Sequence, residues 1–205
     1  DSPKPIGKTM THDTPDIGAL IGSRICHDLI SPLGAIGNGL ELLRMTGDPA
    51  GEEMSLIGDS VAHANARIRF FRIAYGMAGA EQSVAPSELR EIVEGLWGQG
   101  RIQVDWQAAS TSRQEVKLAL LLLQCLETAL PRGGRIEVRH EGEWLLLAEG
   151  DRMRMEESHW ACLQKPGQTT ELGAAQVQFL LAPMEAARQQ RCIRVHIGDR
   201  LEIRF

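Results

Sequence analysis

The chain has 205 residues with 22 basic and 27 acidic side chains, a formal net charge of −5. That length suits one large domain or two small ones, and the acidic balance offers no basic field for nucleic acid. Four scattered cysteines (Cys26, Cys125, Cys162, Cys192), no metal spacing, no signal peptide and no apolar run of the roughly 18 residues that span a bilayer lead us to expect a soluble cytoplasmic protein, with no membrane partner.

Residues 1–15 hold Pro3, Pro5 and Pro15 among aperiodic polar residues and read as a disordered lead-in. Asp16 can cap a first helix running from about Ile17 to Met45. Within it Cys26, Leu29, Leu33, Ile36, Leu40 and Leu43 step 3-4-3-4-3, the apolar seam of a bundle. His27 lies one residue past a seam position, so its ring should point toward water, with Arg24, Ser31, Gly34 and Asn38 on the same stripe. Pro32 withholds a donor from the Asp28 carbonyl and should kink the helix beneath the His27-Asp28 pair. Five glycines in this helix (18, 22, 34, 37, 39) each weaken it by about 1 kcal/mol relative to alanine. Tertiary packing must therefore hold it.

Thr46 to Gly51 reads as a turn, and a second helix follows from about Glu52 to Ala78. Its seam is Met54, Ile57, Val61, Ala64, Ile68, Phe71, Tyr75 and Ala78. Residues 16–79 thus form an antiparallel helical hairpin. Two helices cannot enclose a dry core. Either a second copy completes a dimeric four-helix bundle about a two-fold axis, or residues 80–205 cover the seam within one chain.

Gly79 to Ser83 reads as a linker, after which the pattern over residues 84–205 turns mixed α/β. Ser87 is placed to cap a helix ending at Trp97, and Ile102–Trp106 alternates as a strand. Glu115 to Ala129 is a strongly apolar helix. Pro131 to Gly134 turns into a strand over Arg135–His140, paired in a hairpin with Glu143–Ala148. A helix over roughly Glu171 to Arg188 precedes two closing strands, Cys192–Ile197 and Arg200–Phe205, joined at Gly198-Asp199. The fold class expected is α+β, a helical hairpin followed by an α/β sandwich.

The run His27-Asp28-Leu29-Ile30-Ser31-Pro32-Leu33 resembles the H-box of two-component histidine kinases, where a nucleophilic histidine is followed by an acid, a leucine and a Pro-Leu pair. The element order of residues 86–205 resembles the ATP-binding domain of the same kinases. The nucleotide chemistry does not follow. Gln124 and Thr128 stand near the place of the magnesium-binding asparagine, and Glu149-Gly150-Asp151-Arg152-Met153-Arg154 replaces the Asp-x-Gly-x-Gly loop. Lys165 to Glu171 replaces the glycine-rich lid. Without close-approaching glycines and a metal ligand, ATP should not bind. An intact H-box before a degenerate ATPase-like domain resembles the ChpT-type histidine phosphotransferases of alphaproteobacteria, over residues 16–205.

The resemblance implies a homodimer that relays phosphoryl groups, without ATP, from the receiver domain of a hybrid histidine kinase to response regulators, CtrA-like cell-cycle regulators among them. His27 would be the nucleophile. Asp28 could accept a hydrogen bond from one ring nitrogen, fix the tautomer and offset positive charge growing on the ring. No cofactor is expected to stay bound, and Mg²⁺ should arrive with the receiver's acidic pocket. Arg24, Ile30, Ser31, Gly34 and Asn38 form the candidate receiver-binding surface. Within it, Ser31 is either the position that helps hydrolysis in some kinases or a small residue making room, and Arg24 meets the partner, the phosphoryl group or only water.

The other histidines carry no such signal: His12 lies in the lead-in, His63 beside the second seam, His140 and His159 near element ends, and His196 on an outward strand position. Arg67 to Arg72 is either a steering patch for an acidic receiver or a solvated face. Two other functions remain open, a divergent ATP-dependent histidine kinase and a non-catalytic dimeric scaffold for receiver domains.

Overall fold

The computed structural model describes residues 16–46, 52–79, 81–109, 112–164 and 172–205. The expected lead-in, the turn before Glu52 and the segment Lys165 to Glu171 lie outside the described residues. Helix α1 (Ile17–Thr46) starts where Oδ1 of Asp16 accepts the Ala19 amide at 3.0 Å, and continues past a buried Pro32. Helix α2 (Glu52–Ala74) runs back along it. It stops one turn before the expected Ala78. A Cβ at Gly76 would strike the Arg72 carbonyl, so the chain leaves the helix there with glycine's freedom.

The seam divides between two directions. Ile57, Ala64 and Phe71 of α2, with Leu29, Ile36 and Leu43 of α1, are buried or half-buried. Leu33 (59 % exposed), Leu40 (48 %), Met54 (46 %), Val61 (41 %) and Ile68 (52 %) remain open, at steps of seven along each helix. Residues after 80 do cover part of the hairpin, as the alternative reading had it, but only its far end. Phe70, Phe71, Ile73 and Ala74 join one core with α3 (Pro86–Trp97) and α4 (Arg113–Ala129).

The segment after α2, expected to continue the helix to Ala78, is pinned in place. The first turns of α4 collect its carbonyls: Lys117 Nζ reaches Gly76 O at 2.8 Å, Arg113 Nε reaches Met77 O at 3.2 Å, and Gln114 Nε2 reaches Ala78 O at 3.4 Å. Backbone N–H of Arg113 bonds Gln82 O at 2.9 Å as well. These bonds satisfy carbonyls that have no helical partner and leave the join little freedom.

The C-terminal part is two-layered. Five strands, β1 (Ile102–Trp106), β2 (Gly134–His140), β3 (Trp144–Glu149), β4 (Arg194–Ile197) and β5 (Leu201–Arg204), lie in the order β1-β2-β3-β5-β4. Only β1 and β2 are parallel. Period-two alternation buries Ile136, Val138, Leu146, Ala148, Leu201 and Ile203 against the helices and leaves Arg135, Glu137 and Arg139 on the other face. Helix α4 is the centre, buried continuously from Val116 to Leu126. Gly133, at φ +98°, lets the chain enter β2 beside the Arg101 carbonyl, which a Cβ would meet at 2.5 Å.

Three sequence expectations need correction. Ser87 caps nothing: α3 begins at Pro86, with Ala85 as the flanking residue, and the fixed φ of proline suits that first position. Helix α5 (Glu157–Gln164) was not expected; eight residues are too few to declare a period. The helix expected from Glu171 instead starts at Gln178 as α6 (Gln178–Arg188), after a separate 3-10 turn, Ala174–Gln176.

Gly39 lies between the hairpin helices, and a Cβ there would sit 2.6 Å from Ile57 Cγ1, whereas one at Gly37 meets nothing within 4 Å. Gly39→Leu should therefore destabilise by about 1–3 kcal/mol. Gly37→Ala should stabilise by up to about 1 kcal/mol through helix propensity. Urea unfolding of the two variants measures both, and equal shifts would contradict the packing described.

Candidate functional site

His27 stands on the open side of α1 with its side chain 84 % exposed, while the neighbouring Asp28 is turned in, at 11 %. Nδ1 of His27 lies 3.0 Å from Oδ1 of Asp28. A carboxylate can only accept, so Nδ1 carries the proton and Nε2 is left with a free lone pair facing solvent. The second carboxylate oxygen, Oδ2, accepts from Arg24 Nε at 2.9 Å and has Arg67 Nη1 at 3.7 Å. Asp28 thus divides its two oxygens between the imidazole and two guanidinium groups. The arrangement suits nucleophilic attack by Nε2, with positive charge on the ring met by an anion already in place.

Helical spacing puts the rest of the stripe where the sequence has it. Ile30 (68 % exposed), Ser31, Gly34 and Asn38 are all open beside His27. Ser31 also borders a groove of about 820 Å³ between the hairpin and α3, lined in addition by Pro32, His63 and Gly95. Arg24 differs. It is 15 % exposed, and beyond Asp28 its Nη1 donates to the Ala175 carbonyl at 2.6 Å.

Several partners have no signature in the sequence. Arg67 comes from α2. Below it, Trp97 Nε1 donates to Glu127 Oε1 at 2.7 Å, and Tyr75 OH donates to Gln124 Oε1 at 3.1 Å. Gln124, expected near a metal-binding position, is 1 % exposed with its oxygen committed to Tyr75, and Thr128 donates back to the Cys125 carbonyl at 2.7 Å. Of the basic stretch on α2, Arg69 pairs with Glu91 and Arg72 with Glu88 of α3. Those charges fasten a helix before they can steer a partner.

Of the other described histidines, His63, His140 and His159 lie among packed neighbours and His196 is exposed on β4. Burial, with Arg67 nearby, holds His63 below the ordinary imidazole value. His140 lies against Trp144 and His159 against Phe179. Among the described residues, His27 is the histidine with a carboxylate in hydrogen-bond reach.

The family model described as the histidine phosphotransferase C-terminal domain matches residues 86–200. Protein phosphotransferase ChpT of Brucella abortus (strain 2308) is 42 % identical over 130 residues, and that match spans 62 % of this chain and 62 % of the relative. A solved bacterial phosphotransferase superposes with a TM-score of 0.77 at 30 % identity, covering 95 % of this chain and 98 % of its own.

Glu127, beneath the Arg24–Asp28 pair, offers a test of this polar cluster. Burial pushes its carboxyl up, and the Trp97 hydrogen bond, Arg67 and Arg24 only partly offset that. A carboxyl raised in the folded state binds its proton more tightly than in the unfolded chain, so stability falls as pH rises from the ordinary value of 4.5 through the raised one. Glu127→Gln keeps an acceptor for Trp97 and removes the titration. Its melting temperature relative to the parent should rise as the pH is brought up from that value and level off once the raised one is passed, as scanning calorimetry would record. A gap independent of pH would contradict the burial.

Proposed function

Because the chain belongs to the histidine phosphotransferase family, we propose that it relays phosphoryl groups between receiver-domain aspartates through a phosphohistidine on His27. The observation that carries this reading is the open imidazole whose Nδ1 is tied to an inward carboxylate. Neutral Nε2 attacks the phosphorus of a receiver aspartyl phosphate; the N–P bond forms as the P–O bond to the aspartate breaks, and the aspartate leaves as a carboxylate. The ring keeps its Nδ1 proton and gains positive charge, which Asp28 offsets. Return to a second receiver is the same path reversed. Mg²⁺ belongs to the receiver, and no group of this chain needs to supply it.

ATP takes no part in this reading. Gln124 commits its side-chain oxygen to Tyr75 and Thr128 its hydroxyl to the Cys125 carbonyl, and Met153 and Met155, in the loop after β3, pack on the core. The hybrid-kinase receiver is the expected donor and CtrA-like response regulators the expected acceptors, in the cytoplasm, with a role in cell-cycle control. No described helix is long and apolar enough to cross a membrane. Ile30, Ser31, Gly34 and Asn38 supply the flat, open surface on which a receiver would sit.

The working unit is a homodimer. The open stripe of Leu33, Leu40, Met54, Val61 and Ile68 repeats at seven residues on both hairpin helices. Two such stripes brought together about a two-fold axis make the four-helix bundle. Ile68→Asp would place an unpaired charge in that interface. It should leave a folded or partly folded monomer, where light scattering of the parent should give twice the 22.6 kDa of one chain. A monomeric parent at micromolar concentration would remove the bundle from the reading.

Incubation with labelled ATP alone and with a labelled phosphorylated receiver separates the relay from a kinase and from a scaffold. The parent should be labelled by the receiver only, and the label should be acid-labile and base-stable. His27→Gln should bind the receiver and take no label. Asp28→Asn should be slowed by roughly 10² to 10⁴, the range for such assistance. Labelling of His27→Gln would refute the assignment.

A further inference from the structure

Arg24 is the member of the outward stripe that the fold turns inward, and its guanidinium is shared. Nε donates to Oδ2 of Asp28 at 2.9 Å, and Nη1 donates to the Ala175 carbonyl at 2.6 Å. Ala175 belongs to the 3-10 turn Ala174–Gln176, which is the part of the α/β half that lies against α1. At one end of the fork is the carboxylate whose other oxygen holds Nδ1 of His27; at the other is a backbone atom 151 residues further along the chain. A guanidinium is planar with fixed N–H directions, so satisfying both acceptors sets the angle of one relative to the other. Arg67, 3.7 Å from the same Oδ2, supplies charge at a distance too long to direct it.

We propose that Arg24 is a positioning residue that makes the tautomer and direction of the His27 ring depend on the Ala174–Gln176 turn being docked on α1. The proposal rests on His27 as the phosphoryl carrier. With the turn in place, Arg24 cannot rotate away from Asp28, Oδ1 stays aimed at Nδ1, and Nε2 is the bare nitrogen. With the turn displaced, the fork is free and the carboxylate loses its restraint. The imidazole then divides its proton between both nitrogens, and the share protonated at Nε2 cannot attack. The α/β half would in this way set the competence of a nucleophile it does not touch.

The test uses the full chain with ¹⁵N-labelled histidine, and the phosphorylated receiver domain as donor. In the parent, His27 should show a protonated Nδ1 and a bare Nε2. In Arg24→Met the two nitrogen shifts should move toward a common average, and the amides of Ala174–Gln176 should exchange faster. Labelling at saturating receiver should slow about 10- to 100-fold, as for a misdirected reacting group, with KM unchanged because Arg24 is shielded from the receiver. Added to Asp28→Asn, Arg24→Met should cost nothing further, since it acts through that carboxylate. Arg24→Lys keeps the charge and guards against a folding defect. Its single ammonium can serve one acceptor but not both, so the averaged shifts and slow labelling should persist. Parent-like His27 shifts and rates in both variants would overturn the proposal, as would a loss in Arg24→Met that adds in full to that of Asp28→Asn. A parent protein that takes no label would instead overturn the carrier reading, before any variant is made.

Discussion

The last two turns of α2 set the geometry of everything else. Phe70 and Phe71 are buried between the hairpin and the α/β half, with Ile73 and Ala74 beside them. Phe70 meets Trp97 of α3 edge-on at 5.9 Å, and Phe71 stacks on Tyr75 at 5.2 Å. Each phenylalanine buried this completely is worth about 1.5–3 kcal/mol, and paired aromatics add specific geometry to that area. The contact also has a direction. It brings Arg67, one turn earlier, under Asp28, and Tyr75, one turn later, onto Gln124. The two halves of the chain share a core, and the position of α1 relative to the sheet follows from it.

That shared core makes a polar cluster possible below an exposed imidazole. Asp28 and Glu127 face Arg24 and Arg67. Charge in a half-buried place is tolerable where it is met, as Asp28 is by Arg24; removing one partner would leave its counterpart unmatched, which is costly out of water. His27 stays outside, its ring exposed and joined to the cluster by one hydrogen bond. Direction is thereby supplied from below while access from above is kept.

The α/β half is closely packed around α4. Helix α4 is buried on all sides from Val116 to Leu126, and its polar Gln124 turns to Tyr75. Gly150 lies where a Cβ would meet the Gly133 carbonyl at 2.8 Å, so close packing requires glycine there. The first turns of α4 hold the carbonyls of the join to α2. A scaffold braced in this way presents the hairpin rigidly.

The sequence by itself determined what depends on short range. The 3-4 spacing put two antiparallel helices around a seam. The His27-Asp28 adjacency put a carboxylate within reach of an imidazole, and alternation in β2 and β3 gave the buried face of the sheet. Angular position on a helix, though, says only where a side chain points, and nothing of what arrives opposite it. Arg24 shares the stripe of His27, yet it is covered because the Ala174–Gln176 turn folds back onto that flank. The tertiary structure decided that, and likewise the approach of Arg67, the pairing of Glu127 with Trp97, and the division of the seam into a covered end and an open stripe. Each joins residues far apart in the chain, where only the packed core fixes the distance.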